Sequence, residues 1–156
     1  MSSFQYESFK QMMFEFLNET FESVQGIFLD KNTSLFETLA TISADQASIP
    51  VGNQCATIAA QVKHVSYYLH VIENFLSNPE PQRPNWAEVW ETTSAVSENE
   101  WNAIQVELQE NYQRIREILN SYDEYPGDDE MGRVMAVIVH TAYHLGEIRQ
   151  ALCTIR

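Results

Sequence analysis

Two histidines four residues apart lie near the C-terminal end of the chain. At about 100° per residue, His140 and His144 share one helical sector with the apolar residues Val137 and Ile148. A buried imidazole needs hydrogen-bond partners unless a cation takes its lone pair. An i, i+4 histidine pair is the usual way for one helix to offer two nitrogen ligands to one metal ion. The pair therefore predicts a metal site on the inward face of a C-terminal helix.

A second helical pattern contains two more histidines, which point in different directions. His64 shares the apolar sector with Tyr68 and Phe75, whereas His70 lies about 120° away. His64 is therefore predicted to point inward and His70 outward. If the two helices are neighbours, His64, His140 and His144 can form a three-histidine metal site. The alternative, that each inward histidine is a core residue with satisfied hydrogen bonds, stays open from spacing alone.

Two further polar residues are candidates for chemistry beside these histidines. Glu147 follows His144 by three residues, which makes it a candidate fourth ligand, hydrogen-bond partner of a ligand or proton acceptor. The alternative for Glu147 is a solvated side chain. Tyr68 lies one turn after His64 and can line the mouth of a pocket. Thr141 stands where the HExxH motif has its glutamate, which argues against a metalloprotease of that class.

The two cysteines do not fit the same site. Cys55 and Cys153 each lie nine residues from an inward histidine, about half a helical rotation, and they lack CxxC spacing. Two cysteines are too few for a disulfide framework, which agrees with a reducing compartment. We predict that both are buried structural thiols.

Apolar stripes at helical spacing indicate four long amphipathic helices and no strand. The long helices are predicted over 4–28, 54–76, from a cap at Ser94 or Ser97 to residue 122, and over 131–155, with short segments at 35–42 and 86–90. Three prolines within 79–84 predict a stiff connection over residues 78–85. Trp86 and Trp90, one turn apart, can cover an open end of the bundle or anchor this crossover. The pattern predicts an all-α four-helix bundle with one proline-rich crossover.

Composition and charge limit the possible partners. The 156 residues, 44% of them hydrophobic, are enough for a single domain over 1–156. Nine Lys plus Arg against 22 Asp plus Glu give a net charge of −13, which repels nucleic acid and anionic membrane surfaces. The chain has no apolar run of membrane-spanning length, and Glu7, Lys10 and Glu15 interrupt any signal sequence. We therefore expect a cytoplasmic protein.

Two segments resemble motifs of a known family. The segment 140–150, HTAYHLGEIRQ, resembles the C-terminal signature of the DinB-like superfamily, and 58–64, IAAQVKH, resembles its second-helix motif. The resemblance extends over nearly the whole chain in helix number, order and spacing. It implies an up-down-down-up four-helix bundle that holds a divalent metal through His64, His140 and His144. It also implies a homodimer.

The resemblance also suggests a reaction. Three protein ligands leave a coordination position open, which suits catalysis better than structure, and neutral imidazoles fit zinc, nickel or iron(II). Members of the wider family transfer thiols such as bacillithiol or mycothiol, which implies a low-molecular-weight-thiol S-transferase acting on small electrophiles. Tyr68 or Glu147 would orient the substrate or accept a proton. The alternatives are a metal-dependent hydrolase and a non-catalytic, stress-related interaction protein.

Overall fold

The computed structural model describes residues 3–53 and 55–155, and these residues form helices and connections without a strand. The helices are α1 (Ser3–Phe21), α2 (Leu35–Leu39), α3 (Ala44–Ala47), α4 (Ile58–Ser77), α5 (Trp86–Thr92), α6 (Glu98–Ser121) and α7 (Asp128–Ile155), with a 3-10 turn at Val51–Asn53. The predicted all-α class is confirmed. In this part of the chain, none of the helices combines the length and hydropathy needed to cross a membrane.

Side-chain pairs between α4 and α6 show that these helices run in the same direction. Lys63 forms an ion pair with Glu107, and ten residues further along α4 Glu73 pairs with Arg114. Residue numbers therefore increase in the same direction along both helices. A parallel pair of consecutive long helices needs a connection that returns the chain to the starting end. The segment between Ser77 and Glu98, with its prolines and α5, makes that crossover.

Two further helix pairs, α1 with α6 and α4 with α7, are antiparallel. The Lys10 ammonium donates to the carbonyl oxygen of Asn120 at 2.9 Å, and the Tyr112 hydroxyl donates to Glu22 at 2.8 Å, so α1 and α6 run in opposite directions. The guanidinium of Arg133 on α7 lies over the ring of Phe75 near the end of α4, whereas residues later in α7 meet the first half of α4. The four long helices therefore follow the up-down-down-up order.

All four long helices contribute to one hydrophobic core. The rings of Phe21 on α1 and Tyr112 on α6 stack at a centroid distance of 4.4 Å. Trp101 is buried, and its indole N–H donates to the carbonyl oxygen of Ile42 at 2.9 Å. The largest completely buried side chains include Leu17, Leu69 and Leu108, which lie on the apolar stripes of the sequence.

The first long helix is shorter than the sequence pattern predicts. It ends at Phe21, not at Phe28, because the chain turns back around the buried carboxylate of Glu19. This carboxylate accepts hydrogen bonds of 2.6–2.9 Å from the backbone N–H groups of Gln25, Ile27, Phe28 and Leu29. Four backbone donors satisfied by one side chain replace the hydrogen bonds of a continued helix. Val24 and Phe28 therefore continue the apolar helical spacing without being helical.

The other helix boundaries differ from the prediction by a few residues. The predicted start of the second long helix at Gln54 lies outside the described residues. The helix begins at Ile58, where the Thr57 hydroxyl accepts a hydrogen bond from the N–H of Ala60. The predicted segment 35–42 is helical only over Leu35–Leu39, and α5 extends two residues past the predicted 86–90. The last helix begins at Asp128, three residues early, because three acidic residues in its first turn suit the positive end of the helix dipole.

Candidate metal centre

The antiparallel packing of α4 and α7 brings the three inward histidines together. The ring centroids of His64 and His144 are 4.8 Å apart, those of His140 and His144 4.5 Å, and those of His64 and His140 5.1 Å. His64 and His144 are buried, and His140 is partly buried. One nitrogen from each ring can be chosen so that all three lie within 4.8 Å of one another. The three histidines that the sequence places inward therefore lie close together in the structure.

Two rings of the cluster have a buried nitrogen without a hydrogen-bond partner. These atoms are Nδ1 of His64 and Nε2 of His140. A buried polar atom without a partner costs about 1–3 kcal/mol, so two of them at one place need a physical reason. A cation that accepts their lone pairs supplies one.

The electrostatic environment keeps all three imidazoles neutral at neutral pH. Burial and the neighbouring charge of His144 lower the pKa of His64 to about 4. Burial, with His144 and His64 beside it, lowers the pKa of His140 to about 4. Burial also lowers the pKa of His144, although the carboxylate of Glu147 acts in the opposite direction. Metal ligands must be deprotonated, so these rings need lose no proton at pH 7 to bind a metal ion.

The histidine cluster fits a divalent metal in ligand type and size. Zinc binds imidazole nitrogen at about 2.0–2.1 Å in tetrahedral sites, which places two such nitrogens about 3.3 Å apart. The nitrogens of the cluster lie within 4.8 Å of one another, which exceeds that separation by about 1.5 Å at most. Three nitrogen ligands suit zinc, nickel or iron(II), and they leave a position for a further ligand.

Glu147 lies beside the cluster and is not one of its three members. Its Oε2 atom is 2.8 Å from Nδ1 of His144, with the side chain 41% exposed. This contact acts to raise the pKa of His144, against the larger effect of burial. The hydroxyl of Tyr143 also bonds to the Glu147 side chain, which raises the pKa of that tyrosine. Glu147 is therefore placed to orient His144 and to exchange protons with solvent.

Tyr68 covers another side of the cluster. Its ring stacks on that of His140, with centroids 3.7 Å apart and planes 17° from parallel. Burial raises the pKa of the Tyr68 hydroxyl, although the nearby charge of Arg133 opposes the rise. The hydroxyl therefore stays protonated at neutral pH and acts as a hydrogen-bond donor.

The helix of the crossover lies against the histidines. Trp90 stacks on His64 with ring centroids 4.6 Å apart, and Trp86 contacts His64 at 6.0 Å and Tyr68 at 5.9 Å. Both tryptophans remain about 40% exposed, and the buried Val89 between them anchors the helix. Of the two roles that the sequence left open, a cover of the bundle end or an anchor of the crossover, these contacts fit a cover over the histidines. The two tryptophans form an aromatic wall between the histidine cluster and solvent.

Three other titratable residues lie away from the centre or on its outside. His70 is exposed and lies 3.7 Å from Glu73, as its outward orientation predicts. The prediction that Cys55 and Cys153 are buried is wrong, because both are exposed. Cys55 lies in the connection before α4, and Cys153 lies in the last turn of α7. Cys153 lies about half a helical rotation from the inward His144, so it faces solvent on the opposite side of α7.

Sequence reasoning missed several residues around the centre. Nothing in the local pattern indicates that Trp90 stacks on His64, because that contact depends on the path of the crossover. The buried Oε1 of Gln61 and Oγ1 of Thr141 have no hydrogen-bond partner in the described structure. Gln61 lies one turn before His64, and Thr141 follows His140 directly. For both residues, the sequence signal is a polar side chain among the apolar residues of a buried helix face.

We compared the chain with known proteins in sequence and in structure. No family model matches it, and no curated protein or solved structure is significantly similar to it. Function is therefore inferred from the histidine cluster and from the residues around it.

Proposed function

We propose that this chain is a divalent-metal-dependent enzyme of the DinB-like type that transfers a low-molecular-weight thiol to a small electrophile. The observation that carries the proposal is the cluster of His64, His140 and His144, in which buried ring nitrogens of His64 and His140 have no hydrogen-bond partner. The up-down-down-up helix order and the two histidine motifs are the support for the DinB-like family.

Three protein ligands favour a catalytic over a structural metal. Structural zinc sites are normally closed by four protein ligands, whereas catalytic sites keep a position for water or substrate. Among the described residues, the cluster has three members, and Glu147 stands beside it as a partner of His144. A divalent metal held by these imidazoles would supply Lewis acidity that lowers the pKa of a thiol substrate.

The remaining residues suggest how the transfer proceeds. The thiol gives its S–H proton to the carboxylate of Glu147, directly or through water. The sulfur electron pair then forms an S–C bond to the electrophile, and the leaving group departs with the electrons of the bond that breaks. The protonated Tyr68 hydroxyl orients the substrate by donating a hydrogen bond. The aromatic wall of Trp86 and Trp90 shields the reacting atoms from water.

The test is a rate comparison on metal-loaded protein. Zinc-, nickel- and iron(II)-loaded samples are incubated with a panel of thiols and 1-chloro-2,4-dinitrobenzene, and the thioether product is followed by absorbance. We expect His140→Ala to lose the catalysed rate, Glu147→Gln to lose roughly 10- to 100-fold, and the outward control His70→Ala to keep it. Rates for the wild type no higher than those for His140→Ala would contradict the proposal. Thiol-independent hydrolysis of ester substrates would favour the hydrolase.

We also propose that two copies of the chain form a homodimer through α1 and α7. An entirely apolar groove of about 230 Å³ lies between these helices. Its rim carries Met12, Met135 and Val139, which are 42–66% exposed. Two copies with a net charge of −13 each repel one another, so they associate most readily through a face without charge.

A further inference from the structure

Arg133 differs from the other partly buried cations among the described residues. Lys63, Arg114 and Arg116 each form an ion pair with a glutamate, and Lys10 donates to two backbone carbonyl oxygens. Arg133 is also partly buried, but it forms no ion pair with any carboxylate of residues 3–53 and 55–155. The chain has 22 acidic residues and nine basic ones. A partly buried arginine without an acidic partner is therefore unusual here, and its guanidinium keeps its hydrogen-bond donors free for a ligand.

The position of Arg133 relates it to the metal centre. It precedes His140 by seven residues, which is about 10 Å along α7 and about 20° around it, so both side chains lie on the same face. Its charge is near enough to act on the hydroxyl of Tyr68. The Tyr68 ring in turn stacks on His140 at 3.7 Å. Arg133 and the Tyr68 hydroxyl are thus two donors on the side of the centre that faces the N-terminal half of α7.

The contact with Phe75 holds the guanidinium in place. Its central carbon lies 4.9 Å from the centroid of the Phe75 ring. A guanidinium over an aromatic face keeps its edge N–H groups directed outward, where they can form a two-point contact with a planar anion. One cation balances one negative charge, so a monoanionic carboxylate suits this place. A bound phosphate dianion would leave one of its two negative charges uncompensated, on a protein that is already strongly acidic.

We propose that Arg133 binds a carboxylate group of the substrate. The substrate is then a small molecule whose reacting atom lies about two helical turns from its carboxylate. The inference rests on the proposed function, because it takes the histidine cluster as the place of reaction. It adds a specificity residue that the histidine motifs do not contain. Arg133 is a binding residue in this account, and it takes no part in proton transfer.

The test uses two thiols that differ only in the charged end. Isothermal titration calorimetry measures binding of 6-mercaptohexanoate and of 6-mercaptohexan-1-ol to zinc-loaded protein. We expect the wild type to bind the carboxylate at least about tenfold more tightly than the alcohol, as one charge-assisted contact provides. Arg133→Gln should reduce the ratio to within about twofold. The control Arg149→Gln removes an exposed arginine from the same helix and should keep the wild-type ratio.

The outcomes separate this inference from the proposed function. Equal binding of the two thiols by the wild type, no binding of either thiol, or an unchanged ratio in Arg133→Gln would overturn the inference. Loss of the preference in Arg149→Gln to the same extent would overturn it as well, because the effect would then be one of general charge. The proposed function is judged separately, by turnover relative to His140→Ala. Thiol transfer without a carboxylate preference would leave the proposed function intact and overturn the inference. A carboxylate preference without turnover would contradict the proposed function and leave the binding role of Arg133 intact.

Discussion

At the scale of single residues, Glu19 is the side chain on which the connection after α1 depends. Its buried carboxylate accepts four backbone hydrogen bonds from residues 25–29. Burial alone would raise the pKa of Glu19, but the four backbone donors outweigh it and lower the pKa to about 2. The carboxylate is thus ionised in the folded protein at any ordinary pH. It fixes the loop that follows the first helix.

We expect Glu19→Gln to destabilise the fold by about 3 kcal/mol at pH 7, because a carboxamide turns its N–H groups toward backbone donors. The free energy of unfolding, measured by urea denaturation, checks this. The exposed control Glu15→Gln should change it by less than about 0.5 kcal/mol. A similar effect of both substitutions would contradict the role of Glu19.

The same residue predicts a dependence on pH. The folded-state pKa of about 2 lies below the value of about 4.3 in an unfolded chain. The stability contributed by ionised Glu19 is therefore complete above about pH 5 and is lost as the pH falls toward 2. The difference in unfolding free energy between the wild type and Glu19→Gln should shrink over this window. A constant difference from pH 7 to pH 2 would contradict the account.

At the scale of helices, the start of α6 shows what local sequence can decide. The Ser97 hydroxyl accepts from the N–H of Glu100, and the Glu100 carboxylate accepts from the N–H of Ser97 at 2.8 Å. This reciprocal pair is a capping box, and it distinguishes Ser97 from Ser94, the other candidate in the sequence. Ser94 contributes its backbone carbonyl oxygen, which accepts from the Thr57 hydroxyl.

We expect Ser97→Ala to lower the free energy of unfolding by about 1 kcal/mol, because the first turn of α6 loses its cap. Ser94→Ala is the matched control, since the backbone carbonyl that it uses remains. Thermal unfolding followed by circular dichroism measures both. Equal midpoints for Ser97→Ala and the wild type would show that the capping box contributes nothing.

Helix periodicity predicted most of the fold and the members of the histidine cluster. Azimuth alone separated His64 from His70, because a helix fixes the direction of each side chain relative to the apolar stripe. The early end of α1 could not be predicted, because the hydrogen bonds of Glu19 join residues that are distant along an irregular backbone. The stacking of Trp90 on His64 and the proximity of Arg133 to Tyr68 also depend on tertiary packing. These contacts have no local signal in the sequence.

At the scale of the whole molecule, the negative charge restricts how two copies can meet. The uncharged face between α1 and α7 is the proposed contact. We expect the wild type to have twice the 18.0 kDa chain mass in solution and Val139→Glu to have the mass of one chain. Val106→Glu, an exposed valine on α6, is the control and should stay dimeric. Light scattering after size exclusion measures all three, and an 18.0 kDa wild type would contradict the proposal.

The central claim of this account is that α4 and α7 together hold one metal ion. The most direct measurement is elemental analysis of untagged protein purified without chelator, for the wild type, the double variant His140→Ala, His144→Ala, and the control His70→Ala. We predict close to one divalent ion per chain in the wild type and in the control, and none in the double variant. No metal in the wild type even after reloading, or equal metal in the double variant, would contradict the account.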